Sequence, residues 1–210
     1  MDVTKIRVAL DEITFEQDAT VKCLKLASLC SALWQERGAQ LVVVGGSAIE
    51  ILTEGAYVSG DLDLCYVSAG AGFPLGIRER QEVMGLMGAV GGPRNWQIAG
   101  MYVDLLGLVE SLARTPFRRV AGPYGEVLIM KPEDLLAERV LVSVYPGENM
   151  EARACAKKLI SVILQGAVAA DWQEVRRIAN LPEYRIFPEC VKLVIEVARE
   201  LNVENPLHPD

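Results

Sequence analysis

The sequence predicts an α/β half that runs to about residue 130 and an all-helical half beyond it. Upstream, short apolar β-prone runs such as Leu41-Val42-Val43-Val44 and Leu62–Val67 alternate with amphipathic stretches and glycine turns. Downstream of Lys131-Pro132-Glu133-Asp134, apolar residues recur almost everywhere at helical spacing. The expected division is therefore 1–130 and 131–210.

The elements follow in order. From about Phe15 to Arg37, the spacing of Val21, Leu24, Ala27, Cys30, Leu33 and Trp34 predicts a helix packed under a sheet, with Gly38 as its left-handed cap. A strand over Leu41–Val44 breaks into Gly45-Gly46-Ser47; a short helix to Leu52 and a strand over Leu62–Val67 come next. Residues 68–74 read as a loop by composition, and Ile77 to Ala89 as a helix ended by Gly91-Gly92-Pro93. Trp96–Ala99 and Met101–Leu108 predict a hairpin closed at Gly100, and Arg119–Val120 and Val127–Met130 a second one around Gly122-Pro123-Tyr124-Gly125. Pro132, with acids in the first turn behind it, marks a helix start. Helices are expected over Leu135–Val144, Met150–Gln165, Trp172–Ala179 and Pro188–Leu201.

Bulk properties narrow the function classes. Hydrophobic residues at 51% and charged residues at 23% describe a globular chain. A net charge of -7 argues against a general nucleic-acid coat, which needs a basic face. No apolar run has the length to cross a bilayer, and Met1-Asp2-Val3-Thr4-Lys5 lacks the build of a signal peptide. The cysteines (Cys23, Cys30, Cys65, Cys155, Cys190) are scattered and never spaced Cys-x-x-Cys, so they read as reduced, buried hydrophobes of a cytoplasmic protein. The single histidine, His208, sits in a polar tail, which removes mixed Cys/His zinc sites and a histidine base.

The chemistry-bearing stretch is Leu41 to Tyr66. Asp61 and Asp63 lie two apart in an extended run, so both leave one face of a strand whose other face carries Leu62, Leu64 and Tyr66. Like charges that close raise each other's pKa unless a cation intervenes, and a divalent ion is the common solution. A bare Asp-x-Asp can also simply end a strand. Asp104 interrupts the apolar run Met101-Tyr102-Val103-Asp104-Leu105-Leu106. An unpaired ionised carboxylate there would cost on the order of several kcal/mol, which a metal shared with Asp61 and Asp63 would remove. The alternative partner is a backbone amide or an arginine.

Gly45 and Gly46 would let the backbone approach phosphate oxygens, with helix-start amides and the Ser47 hydroxyl donating to them. A dinucleotide-binding unit fits poorly: Glu50 occupies the place of the third glycine, and the acids precede their apolar run rather than ending it.

Together these residues resemble the polymerase-beta-like nucleotidyltransferase superfamily, in its small bacterial branch of minimal and abortive-infection-type members. The pattern of that branch is an apolar strand, Gly-Gly or Gly-Ser, a short helix, Asp-x-Asp and a later lone Asp; Gly45, Gly46, Ser47, Asp61, Asp63 and Asp104 stand at those positions. Lys131-Pro132-Glu133-Asp134-Leu135-Leu136-Ala137 resembles the Pro-Glu-Asp-Leu helix that follows the catalytic half. Lys131 stands where relatives carry Ser or Thr, and the arginine that often precedes the first Asp is replaced by Tyr57-Val58-Ser59-Gly60.

The resemblance implies a mixed sheet flanked by helices and a two-metal magnesium site on Asp61, Asp63 and Asp104. It implies transfer of a nucleoside monophosphate from a nucleoside triphosphate such as ATP to a hydroxyl, with release of pyrophosphate. Asp104 would be the base. The acceptor is left open between protein, tRNA and small molecule, and a toxin setting would add an antitoxin or a homo-oligomer as partner. Cations for the triphosphate are expected from Lys131, Arg139, Arg153, Lys157 and Lys158, with Arg153 and Lys157 the better pair because they share a helix face. The rival expectation is a non-catalytic nucleotide- or partner-binding protein on the same fold.

Overall fold

The structure is a computed structural model, described here over residues 1–67, 74–115 and 117–208. The chain opens with two helices, α1 (Val3–Thr14) and α2 (Ala19–Gln35), capped by the side chains of Asp2 and Asp18. There follow β1 (Leu41–Val43), α3 (Gly45–Leu52), β2 (Asp61–Tyr66) and α4 (Ile77–Leu86). Then come β3 (Val90–Gly91), β4 (Asn95–Ile98), β5 (Met101–Leu108), β6 (Phe117–Gly122) and β7 (Gly125–Met130). The remainder is helical: α5 (Pro132–Val144), α6 (Met150–Leu164), α7 (Trp172–Ala179) and α8 (Phe187–Leu201).

The seven strands form one mixed sheet in the order β3-β4-β5-β2-β1-β7-β6. β1 runs parallel to β7 and β2 parallel to β5, while β1 and β2 are antiparallel. Both expected hairpins are present. Ala99 and Gly100 both take positive φ (50° and 79°), the geometry that a two-residue turn needs to match strand twist. The expected helix from Phe15 is α2, which begins at Ala19; α1 is an addition that the sequence pattern does not predict. Its buried side, Ile6, Ala9 and Ile13, is a thin stripe among charged residues. The loop expected over 68–74 lies almost wholly outside the described residues.

One buried core runs through the sheet and into the helices that follow it: Trp34, Leu62, Leu64 and Ile129 belong to it, as do Leu135, Leu159 and Val194. α2 covers the apolar face of β2, and Trp34 Nε1 donates to the Tyr66 hydroxyl at 3.2 Å within the core. The five cysteines are free and buried. Among the described residues, no helix is long and apolar enough to cross a membrane.

The start of α5 explains why Pro132-Glu133-Asp134 has its form. Lys131 gives no side-chain cap, but Pro132 presets the first turn. Asp134 is buried and accepts hydrogen bonds from the Ser111 hydroxyl (2.6 Å) and from the amides of Leu112 (2.9 Å) and Ala113 (3.0 Å). Burial still holds its carboxyl above the usual value. Glu133 accepts the Asp171 amide at 2.8 Å. The two acids tie α5 to the segment after β5 and to the start of α7, which fixes how α5 crosses the sheet.

Candidate active site

Positions that face one another across a sheet ladder carry their side chains on one face. In the β2–β5 pairing Asp63 stands opposite Asp104 and Asp61 opposite Tyr102, while Leu62 and Leu64 stand opposite Val103 and Leu105 and are fully buried on the other face. The three aspartates therefore share one face of two adjacent parallel strands. Asp104 is in turn opposite Asn95 of β4, whose amide donates to its Oδ1 at 2.8 Å. The partner of Asp104 is thus a side-chain amide rather than an arginine or a backbone group.

The carboxylates are crowded without being clustered. Burial pushes Asp63 up to about 6 from 3.8; the charges of Asp61, Asp104 and Glu138 push the same way, and Arg139 opposes them. Yet among the described residues no three His, Cys, Asp or Glu side chains are gathered tightly enough to hold a metal ion. As donors, Asp61 and Asp63 fit magnesium, which takes oxygen ligands, often only one or two carboxylates with waters and phosphates completing the shell.

The glycine turn sits directly over these acids. Gly45 has φ +61°, and a Cβ on it would fall 2.6 Å from Asp63 Oδ2 and 3.2 Å from Arg139 Nη2. A Cβ on Gly46 would fall 2.5 Å from Ser59 Oγ. Both positions therefore need glycine for close approach, to the chain's own side chains in the first instance. Ser47 is fully buried: its hydroxyl donates to the Val44 carbonyl and accepts the Asp63 amide, each at 3.0 Å. Its oxygen joins the turn to β2.

A cavity of about 210 Å³ opens beside the turn. Gly46, Tyr57, Ser59, Asp61, Asp63 and Arg139 line one side of it, and Asn149, Glu151 and Cys155 of the α6 end line another. Burial pushes the Tyr57 phenol up to about 12, with Cys155 and Glu151 adding to the effect and Arg139 opposing it. Arg139 is the one cation among the described lining residues; one of its nitrogens meets Glu138 at 3.2 Å, and its buried Nε has no hydrogen-bond partner.

The other expected cations lie elsewhere. Arg153 pairs with Glu196, and Lys157 with Glu196 (3.2 Å) and Glu200 (2.6 Å), so that face of α6 is turned to α8. Lys131 Nζ donates to Thr115 Oγ1, and neither it nor Lys158 lines the cavity. Helical spacing shows that Arg153 and Lys157 share a face; which neighbour the face meets is a property of the packing. Asp104 sits one strand over from the cavity lining.

Two residues carry no motif of their own in the sequence. Glu50, buried within α3, accepts the Ser59 amide at 2.8 Å and the Thr20 hydroxyl at 3.1 Å. Ser59 Oγ then donates to Asp61 Oδ1 at 2.6 Å. This relay fixes the segment that delivers Asp61. The available signal was a lone acid in an otherwise apolar helix, Gly45-Gly46-Ser47-Ala48-Ile49-Glu50-Ile51-Leu52.

No protein-family model matches the chain. Among solved structures it is similar to an antigenic nucleotidyltransferase-like protein from Paracoccidioides brasiliensis, with a TM-score of 0.52 and 14% identity over 80% of this chain and 91% of that one. The antibiotic-resistance factor ANT(2'')-Ia, in its complex with adenylyl-2''-tobramycin, gives a TM-score of 0.47 and 12% identity over 78% of this chain and 97% of that one. Among curated proteins, an A-type ATP synthase component from Thermoplasma volcanium is 35% identical over 77 residues, which is 36% of this chain and 40% of that protein. The chain thus spans well under half the length of that relative. At 14% identity the first likeness is one of architecture, and with the mixed sheet and flanking helices described above it establishes a nucleotidyltransferase-like fold.

Proposed function

We propose that the chain is a metal-dependent nucleotidyltransferase that moves a nucleoside monophosphate from a nucleoside triphosphate to a hydroxyl acceptor and releases pyrophosphate. The observation that carries this reading is the convergence of Asp61, Asp63 and Asp104 on one sheet face beneath the Gly45-Gly46 turn. The fold, shared with a nucleotidyltransferase-like protein, supports it.

In this mechanism Asp61 and Asp63 hold magnesium. The bound ion supplies neutralisation of phosphate charge and polarisation of the reacting oxygens. The protein's residues do the rest. Arg139 meets the negative charge of the triphosphate, Tyr57 offers an aromatic wall, and Ser59 holds Asp61 in its rotamer. Asp104, steadied by Asn95, accepts the proton of the attacking hydroxyl.

A second reading, a nucleotide binder without transfer activity, is favoured by two observations. Asp104 is tied to Asn95, and only one cation faces a cavity that also holds three carboxylates, Asp61, Asp63 and Glu151, among its described lining residues. The deciding experiment incubates the protein with magnesium, labelled nucleoside triphosphates and a cell extract, beside an Asp61→Ala/Asp63→Ala variant. Metal-dependent label transfer that the variant loses supports transfer. Triphosphate binding with no transfer selects the binder, and the absence of both overturns the reading.

A further inference from the structure

The acid face of the sheet carries a second cavity, of about 260 Å³, one side-chain step beyond the carboxylates. Cys65 follows Asp63 by two residues and Leu106 follows Asp104 by two, a spacing of roughly 7 Å along a strand. Both Cys65 and Leu106 line this cavity. The register shift between Leu64 and Cys65 pairs Cys65 with Gly107 and so leaves Leu106 as the extra residue of β5. Helix α5 serves both spaces: Arg139 lines the first and Glu138 the second.

The second cavity is more apolar than the first and lacks its cation among the described lining residues. Its walls include Leu106 and Leu108, which are 49% and 53% exposed, and the ring of Tyr184. Its charged groups are Glu110 and Glu138, the second of which also meets Arg139 at 3.2 Å, and no Lys or Arg is among its described lining residues. The negative potential is registered at Tyr184. Burial pushes the Tyr184 phenol up to about 12, with Glu138, Asp134, Glu110 and Glu183 adding to the effect. An apolar hollow with a few convergent polar groups of one sign suits a small amphipathic cation. It repels a phosphate backbone.

The geometry points to this cavity as the acceptor site of the transfer reaction proposed above, and to an acceptor that is a small amphipathic amine with an apolar body, a protonated nitrogen for Glu110 and Glu138, and a hydroxyl directed at Asp63 and Asp104. This inference rests on the transfer reading. In the transfer, the acceptor oxygen bonds to the α-phosphorus and the α–β phosphoanhydride bond breaks. Pyrophosphate leaves with that electron pair, and the hydroxyl proton passes to Asp104. Asp63 lines the first cavity and Cys65, two residues further along β2, lines the second.

The test is calorimetry on the full chain at low salt with two probes of one skeleton: tyramine, which is cationic, and tyrosol, in which a hydroxyl replaces the amine. A magnesium complex of a non-hydrolysable nucleoside triphosphate analogue is titrated separately. Tyramine is expected to bind at least about ten-fold tighter than tyrosol, the worth of one charge-assisted hydrogen bond. Glu110→Gln/Glu138→Gln is expected to erase that preference, and Glu110→Gln, a change at an exposed position, to weaken it without disturbing the fold. Equal binding of the two probes, binding of neither, or a preference that survives the double variant overturns the inference. Analogue binding with no amine preference overturns the acceptor site and leaves the transfer reading standing. Amine preference with no analogue binding overturns the acceptor role and the transfer reading together.

Discussion

The Ser47 hydroxyl accepts the Asp63 amide at 3.0 Å and donates to the Val44 carbonyl at 3.0 Å, so one buried oxygen clamps the glycine turn to the carboxylate strand. Removing it takes the acceptor from the buried Asp63 amide, while the Val44 carbonyl keeps the Ala48 amide at 3.2 Å. Ser47→Ala is expected to lower stability by about 1–3 kcal/mol and to weaken binding of magnesium nucleotide by loosening Asp63 against the turn. Urea denaturation measures the first effect and calorimetry the second. A variant with native stability and native affinity would show that the clamp is dispensable.

Asp63 gives the protein a defined pH response. Its carboxyl titrates near 6 in the folded chain against 3.8 ordinarily, burial being the larger cause and the Asp61 charge the next. Because the folded value is the higher one, the stability this group contributes is fully present below about 3.8 and is lost as pH rises through about 6. Asp63→Asn is expected to be more stable than the native chain near neutral pH by on the order of 1–2 kcal/mol. Below about pH 4 the two should converge. Saturating magnesium should narrow the gap at neutral pH by stabilising only the native chain. Denaturation curves at both pH values check this.

Arg139, and not the α6 pair, should set triphosphate affinity. Arg139→Ala is expected to weaken binding of a magnesium nucleoside triphosphate at least about ten-fold, the scale of a lost charge-assisted contact. Arg153→Ala and Lys157→Ala should leave that affinity unchanged, since both side chains are spent on Glu196 and Glu200. Titration of a fluorescent nucleotide into the three variants decides it. Equal losses in all three would mean that α6 turns in solution.

Glu50 should act at a distance from the nucleotide. Glu50→Ala frees the Ser59 amide and the Thr20 hydroxyl and is expected to cost about 1–3 kcal/mol of stability. Asp61, left with a mobile Ser59, should then bind manganese more weakly than in the native protein. Electron paramagnetic resonance of free manganese reads this directly. Full affinity in Glu50→Ala would reduce the Thr20–Glu50–Ser59–Asp61 relay to a packing feature.

The legibility of the site varied with the range of the interactions involved. Asp61 and Asp63 were readable because two residues of extended chain fix a shared face whatever surrounds them. Asp104 was readable as an anomaly, a charge inside an apolar run, though its placement opposite Asp63 is a fact of strand pairing. The Ser47 hydroxyl was expected at phosphate, and it lies bonded to β2 because the Asp63 amide of that strand takes it as its acceptor. Glu50 looked like a missing glycine and proved to be a buried anchor.

By itself the sequence determined the order of strands and helices from α2 onward apart from β3, both hairpins, the start of α5 and the acidic and apolar sides of β2, because periodicity, turn residues and caps act over a few neighbours. Only the tertiary structure decided that β2 lies between β1 and β5, that Arg139 rather than Arg153 and Lys157 faces the acids, and that a second, negatively lined cavity lies next to them. Those outcomes depend on which faces meet across long stretches of chain. Burial of a whole surface selects such meetings, and no local spacing encodes them.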